Sequence, residues 1–159
     1  MKIDVIIKNK DSQIIKNFYD IYSSDHSAAC DSLYLYDDNR NVEAVFYRHN
    51  LLGWYDDGYV MFDPEFEDST VKHYYGIFVN DSDTKIYVKI NADGNVRHDY
   101  INRLLVFEDS IGDQGDTFRK VARFNLDLIS GYYQIWERVI NNDRYNNKYT
   151  KSLEYSYTT

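Results

Sequence analysis

Hydrophobic and polar residues alternate along most of this chain with the two-residue period of β-strands. The clearest case runs from residue 73 to residue 100, where two turns separate three alternating segments. The first turn, Asn80–Asp83, consists of turn-forming residues, and the second contains Asp93-Gly94, a strong hairpin signal. This pattern predicts an antiparallel meander of three strands, with the face that carries Lys85 and Lys89 in solvent.

Further stretches with the same period predict additional strands. They are residues 3–7, 32–36, 42–48, 122–128 and 153–157. We expect residues 32–36 and 42–48 to form a hairpin. We also expect Asp57-Gly58 to form a turn that brings residues 52–55 back onto residues 59–62. Residues 103–107 are expected to extend the last strand of the meander, and residues 108–116 to form a polar loop.

One segment near the amino terminus has the spacing of a helix instead. Its apolar residues fall on one helical face, at Ile14, Ile15, Phe18, Ile21 and Tyr22. Asp11-Ser12 offers a cap for the first turn. The pattern therefore predicts a helix from about Ser12 to Tyr22, packed on the sheet.

Residues 131–140 fit two structures. Their apolar stripe, with Ser130 as cap, fits a helix, whereas Ser130-Gly131 as a turn, followed by a segment rich in Tyr, Ile, Trp and Val, fits a strand. We favour the strand, because residues 141–147 then form a loop before a closing strand. The expected class is α+β: a mainly antiparallel twisted β-sheet of consecutive hairpins with one N-terminal helix, and a second helix near residue 135 as the alternative. We expect a single domain over residues 1–159.

Charge and composition narrow the partner and the location. The chain carries 26 acidic and 18 basic residues, a net charge of −8, which argues against direct nucleic-acid binding because phosphate contacts require Lys and Arg. The same charge favours a basic protein partner. The one cysteine, Cys30, excludes an internal disulfide, and no stretch approaches the ~20 consecutive apolar residues of a membrane span. We expect a cytoplasmic protein that does not bind a membrane.

Candidate catalytic patterns are weak. His26 and Cys30 would share a face on a helix, but no second cysteine completes a zinc-ligand set. Residues 81–85 contain a D-x-K, faintly like some nuclease metal sites, on a predicted turn where aspartate is expected anyway. Phosphate-binding glycine loops and nucleophile elbows are absent from the sequence. We therefore expect no enzymatic activity, no catalytic residue, no bound metal and no cofactor.

Acidic and aromatic residues occur together in two segments. Residues 56–68 hold six acids and no base, and residues 108–116 hold four more acids. Carboxylates around exposed tyrosines attract a basic partner, and the rings supply contact area at low entropy cost. The candidate partner-binding residues are Tyr55, Asp56, Asp57, Tyr59, Asp63, Glu65, Phe66, Glu67, Asp68, Glu108, Asp109, Asp113 and Asp116. A plain solvated surface is the alternative interpretation.

The chain resembles phage-encoded anti-CRISPR inhibitors of type II-A, staphylococcal-like Cas9. The resemblance lies in its size, its acidity, its Tyr- and Asn-rich composition and these two acidic segments. The resemblance covers the whole chain but rests on no motif, so it gives no residue a role. It implies a non-catalytic inhibitor, in the cytoplasm of a bacterial host, that binds the Cas9–guide RNA complex and blocks DNA cleavage.

Two other function classes fit the same sequence. One is an immunity protein that neutralises a bacterial toxin, because such proteins are also small and acidic. The other is a small-ligand-binding or enzymatic β-domain that uses a pocket beside Trp54 or Trp136. A deep cavity that holds several titratable groups would favour this last class.

Overall fold

The computed structural model consists almost entirely of antiparallel β-strands. It describes residues 1–10, 12–27, 32–62, 73–90, 94–111, 117–136 and 155–158. The strands are β1 (Ile3–Asn9), β2 (Ser12–Phe18), β3 (Ser23–Ser27), β4 (Ser32–Tyr36), β5 (Val42–Tyr47), β6 (Leu51–Asp56), β7 (Val60–Phe62), β8 (His73–Val79), β9 (Ile86–Ile90), β10 (Asn95–Asp99), β11 (Leu104–Ile111), β12 (Thr117–Asn125), β13 (Ile129–Trp136) and β14 (Tyr155–Thr158). A short 3-10 helix, Arg48–Asn50, joins β5 to β6. Within these ranges no helix is long and apolar enough to cross a membrane.

The strands form three sheets. The six-stranded sheet has the order β10-β11-β12-β6-β1-β2, the five-stranded sheet the order β14-β13-β8-β9-β7, and the three-stranded sheet the order β3-β4-β5. The first core lies between the six- and five-stranded sheets and includes Ile6, Leu52, Leu105, Phe107, Phe124, Ile77, Ile86, Val88 and Tyr132. The second core lies between the six- and three-stranded sheets and includes Ile3, Val5, Trp54, Val106, Ile21, Leu33 and Leu35. The six-stranded sheet is therefore the middle of three layers.

A β-bulge in β6 decides which side chains face which core. The β1–β6 pairing shifts between Ile6 and Ile7, so that Leu52 is the extra residue of β6. Leu52 consequently joins the first core, while Leu51 and Trp54 face the second core. This shift directs the Trp54 indole toward the three-stranded sheet.

The predicted N-terminal helix over residues 12–22 is wrong. Residues 12–18 form β2, which pairs antiparallel with β1 through a tight turn in which Lys10 has a φ of +53°. Ile15 packs on the first core and Phe18 on the second. The apolar residues that would share one face of a helix therefore lie on opposite faces of a strand. The α+β class is therefore corrected to a nearly all-β fold of three antiparallel sheets.

The segment around residue 135 is a strand, as we favoured. β13 pairs with β8 on one side and with β14, the predicted closing strand, on the other. The chain turns at residues 126–128, before the Ser130-Gly131 pair that we had considered for a turn. Residues 137–140 lie outside the described part of the chain.

The predicted hairpins are confirmed in part. β4 pairs with β5, and β8 with β9, as the alternation indicated. β10, however, pairs with β11 in the six-stranded sheet, so the third strand of the predicted meander belongs to another layer. β6 and β7 also belong to different sheets, so Asp57-Gly58 redirects the chain between layers and does not close a hairpin. On the face expected in solvent, Lys85 is exposed but Lys89 is half-buried.

The region after the meander also differs from expectation. Residues 100–103 form a turn, and β11 begins at Leu104, so residues 103–107 do not extend β10. β11 continues to Ile111, so residues 108–111 of the expected polar loop are strand; residues 112–116 lie outside the described residues. β11 is buried on both faces, with Leu105 and Phe107 in the first core and Leu104 and Val106 in the second. A strand with two buried faces has no polar side to mark its boundaries in the sequence.

Candidate functional site

The described acids of the first acidic segment lie at the end of β6 and in the turn after it. The Asp56 carboxylate is 3.7 Å from Arg119 Nε and 3.7 Å from Arg123 Nη1, both on β12. Asp57 is exposed and pairs with Lys2, at 3.1 Å between Oδ1 and Nζ. Bases from distant parts of the chain thus lie against both carboxylates, although the segment itself contains no base. Burial raises the pKa of the Asp56 carboxyl, and the two arginines oppose that effect.

The two tyrosines of this segment have different surroundings. Tyr55 is 5% exposed, packs in the first core and shares a hydrogen bond with Asp4. Tyr59 is half-buried; Arg119 Nη2 donates to its hydroxyl at 3.4 Å, and the hydroxyl also bonds to Asp109. Burial raises the pKa of both phenols, because a buried phenolate loses hydration.

The second acidic segment meets the first at Tyr59. Asp109 is buried on β11, and its hydrogen bond with Tyr59 brings the two segments into contact. Glu108, on the opposite face of β11, is also buried and forms an ion pair with Arg97 on β10. The other candidate residues, Asp63, Glu65, Phe66, Glu67, Asp68, Asp113 and Asp116, lie outside the described residues. Partner binding by the whole set stays a prediction.

Exposed aromatic residues that sequence analysis did not select lie near the amino terminus. Tyr19 is 61% exposed, and Tyr22 is 51% exposed. The Lys2 ammonium group lies 5.3 Å from the centroid of the Tyr19 ring while it pairs with Asp57, so an exposed ring and an exposed carboxylate share one base. The Tyr22 ring instead contacts the Arg40 guanidinium, 5.1 Å from its centroid. We name Tyr19, its neighbour Asp20, and Asp57 the amino-terminal patch. Spacing along the sequence gave no sign of it, because Asp57 is far from the other two residues in the chain.

A cleft lies beside Trp54, between β3 of the three-stranded sheet and the facing strands of the six-stranded sheet. Its volume is about 210 Å³. Its lining includes Asp25, His26, Trp54, Asp99, Lys120 and Arg123. The pocket that sequence analysis had considered beside Trp54 therefore exists and is lined by several titratable groups. Arg123 and His26 could not be connected with it from the sequence, because neither lies near Trp54 in the chain.

Trp54 is the aromatic centre of this cleft. The His26 ring lies 5.3 Å from it between centroids, at an interplanar angle of 44°, and the Arg123 guanidinium lies 5.6 Å from the indole centroid. Trp54 Nε1 and Arg123 Nη1 are buried and have no hydrogen-bond partner among the described residues. Burial lowers the pKa of the Arg123 guanidinium, an effect that nearby Asp56 opposes. Two residues that line the cleft thus carry a buried donor without a partner among the described residues, and one of these donors is charged.

The weaker sequence candidates form no metal site in the part of the chain that the structure describes. No group of three or more His, Cys, Asp or Glu side chains there could hold a metal ion. His26 is on a strand, so the helical spacing to Cys30 does not apply, and Cys30 lies outside the described residues. Asp81, in the D-x-K segment, has a φ of +54° in the turn after β8, which is a structural reason for an aspartate there.

Fold and surface together define a class: a three-layer antiparallel β protein with an acidic net charge and a polar, aromatic cleft between two layers. No protein-family model, curated protein or solved structure matches the chain. Function is therefore inferred from the charge, the surface and the composition of the chain itself.

Proposed function

We propose that this protein is a non-catalytic inhibitor that binds a basic nucleic-acid-processing protein and blocks DNA cleavage. The proposed partner is a Cas9–guide RNA complex, because the chain resembles anti-CRISPR inhibitors in size and composition. The observation that carries the proposal is the combination of a net charge of −8 with tyrosine side chains that remain exposed on a scaffold of β-sheets. Exposed aromatic rings next to carboxylates are typical of protein-binding surfaces.

The exposed rings occur in more than one place. Tyr100 and Ile101, in the turn between β10 and β11, are 72% and 83% exposed, the amino-terminal patch adds Tyr19, and Tyr22 is exposed beside Arg40. Aromatic side chains at the centre of an interface supply much of the binding free energy, because they bury a large area with few rotatable bonds. Such residues are the expected contact points for a protein partner.

Charge complementarity supports Cas9 as the partner. Cas9-type enzymes hold their nucleic acids in a positively charged channel. An acidic protein can associate with that channel rapidly and exclude DNA from it without any chemical step. The amino-terminal patch and the two acidic segments are the proposed docking region, in which Asp20 and Asp57 are exposed.

Binding to an immobilised Cas9–guide RNA complex, measured at low and at high salt, tests the proposal. We expect specific binding with an association rate that falls on the order of tenfold as salt screens the attraction. Binding that is unchanged by salt would contradict the role of charge. If the protein binds basic toxin nucleases and does not bind Cas9, the immunity-protein alternative replaces the proposed partner.

A further inference from the structure

Two residues that line the cleft beside Trp54 carry buried hydrogen-bond donors that have no acceptor among the described residues. Trp54 is 3% exposed, and its indole Nε1 has no hydrogen-bond partner among the described residues. Arg123 Nη1 is buried in the same cleft with no such partner, because the nearest Asp56 oxygen is 3.7 Å away, beyond hydrogen-bond distance. Buried donors are normally satisfied, so two of them on residues that line one cleft indicate an acceptor that the described residues do not supply.

The charge on one donor indicates that the acceptor is anionic. A guanidinium forms its strongest hydrogen bonds with oxyanions, and these bonds strengthen when water is excluded. Lys120, a second cation, also lines the cleft. Burial lowers the pKa of the Arg123 guanidinium because its charged form loses hydration. A bound anion would stabilise that charged form and so offset the loss.

The remaining lining groups limit the size and charge of the anion. Asp99 faces the cleft, with both carboxylate oxygens accepting hydrogen bonds from Asn102, and Asp25 lies on the exposed strand β3. These two carboxylates repel a dianion more strongly than a monoanion. A cleft volume of about 210 Å³ suits a molecule of few heavy atoms.

We propose that this cleft binds the carboxylate group of a small molecule, with Trp54 Nε1 and Arg123 Nη1 donating hydrogen bonds to it. The Trp54 and His26 rings form the wall against which the rest of the molecule packs. No described residue of the docking region proposed above lines the cleft, although Asp56 of the first acidic segment lies 3.7 Å from Arg123 Nη1.

The indole N–H of Trp54 reports directly on this site in a ¹H–¹⁵N NMR spectrum of the full chain. Trp54→Phe identifies its signal among the two tryptophans. We expect sodium acetate to shift this signal saturably, with a Kd on the order of millimolar for so small a ligand. Sodium chloride at equal ionic strength should not shift it, and sodium phosphate should bind more weakly than acetate.

Arg123→Gln should weaken acetate binding by about tenfold or more, because it removes the charged donor. Arg119→Gln is the matched control: it is on the same strand and also contacts Asp56, but it does not line the cleft, so acetate binding should persist. Binding that survives Arg123→Gln, or an indole signal that responds to acetate no more than to chloride, would overturn the proposal. If phosphate binds as tightly as acetate, the assignment to carboxylates is wrong. Should Arg123→Gln fail to fold, the unmodified protein still decides the matter. Acetate-induced shifts of backbone amides that lie mainly outside β3, β6, β10, β11 and β12 and the turn at Asn102 would refute the site.

Discussion

At the scale of single residues, Arg48 shows how this fold accommodates a buried charge. Arg48 is 5% exposed, and its Nη2 donates to Asn125 Oδ1 at 2.6 Å, Asp127 Oδ2 at 3.2 Å and the Arg103 carbonyl at 3.2 Å. Asn125 Nδ2 in turn lies 3.0 Å from the carbonyls of Arg48 and Leu51. The network ties the turn after β5 to the ends of β11 and β12, because a buried guanidinium requires its acceptors.

Asn125→Ala should therefore lower the free energy of unfolding by about 2–4 kcal/mol, because it removes one acceptor from a buried cation and two donors from buried carbonyls. Asp127→Ala is the comparison: its carboxylate is 53% exposed, so water can replace it beside Arg48 and the loss should be smaller than for Asn125→Ala. Urea unfolding of both variants measures the difference. Equal losses would show that the buried amide is not the centre of the network.

Asp4 gives a pH-dependent prediction. Burial raises the pKa of its carboxyl above the ordinary 3.8, although Lys2 opposes the effect. A folded-state pKa above the unfolded value means that the folded state binds more protons in that window, so stability falls as pH rises through it. Asp4→Asn should be more stable than the unmodified protein at pH 7, with the difference shrinking as the pH falls to about 4. Urea unfolding at both pH values tests this; a variant that is less stable at pH 7 contradicts it.

At the scale of secondary-structure elements, Gly53 allows β6 and β12 to approach closely. A Cβ at this position would overlap the Arg123 carbonyl oxygen and press on the Phe124 ring at 3.0 Å. Because the neighbouring group is backbone, it cannot move away without breaking the strand pair. This contact joins the two strands that carry Trp54 and Arg123.

Gly53→Ala should consequently lower the unfolding free energy by more than about 2 kcal/mol, since overpacking against a fixed backbone is costly. Gly58→Ala provides the comparison: its φ is +89° and a Cβ would meet nothing within 4 Å, so strain of about 1 kcal/mol is expected. Thermal unfolding of both variants distinguishes steric overlap from backbone strain. A Gly53→Ala protein as stable as the Gly58→Ala protein would contradict the close approach.

The two-residue period identified most strands but not their neighbours. Alternation locates the face that each side chain shares, whereas pairing depends on residues far apart in sequence, which is why β10 was assigned to β9 instead of β11. The error at β2 has a related cause: in a three-layer fold both faces of a strand bury apolar residues, so Ile15 and Phe18 do not alternate with polar ones.

The candidate site was predictable to a smaller extent. Trp54 could be selected from the sequence as a pocket residue, but Arg123 reaches it only because β6 and β12 are neighbours. The local count of acids likewise missed that Lys2 neutralises Asp57, since β1 brings that base from the far end of the chain. Which charges lie next to each other in the folded protein depends on how the strands pair. Periodicity alone could not predict that pairing.

At the scale of the whole molecule, a net charge of −8 should govern encounter with a basic partner more than the lifetime of the complex. Asp57→Lys combined with Glu65→Lys and Glu67→Lys should lower the association rate with Cas9–guide RNA on the order of tenfold and change the dissociation rate less. Asp56 is left intact because two arginines contact it.

The control changes charge equally at other exposed positions, with Asp38→Lys, Glu43→Lys and Asp83→Lys. Because local potential steers docking, this triple variant should associate faster than the first one. Association kinetics by biolayer interferometry compare the two. The same rate for both variants would mean that net charge alone acts and that the first acidic segment, residues 56–68, is not the docking face.

The central claim is that this protein acts by binding and not by catalysis, and a DNA-cleavage titration tests it most directly. Cas9–guide RNA complex at fixed concentration is given target DNA after incubation with increasing amounts of the protein. Stoichiometric inhibition predicts that cleavage falls steeply and ends near a fixed molar ratio of protein to Cas9, whatever the incubation time. Cleavage that continues unchanged at about tenfold excess of protein, or inhibition by far less than one equivalent that deepens with time, would contradict the account.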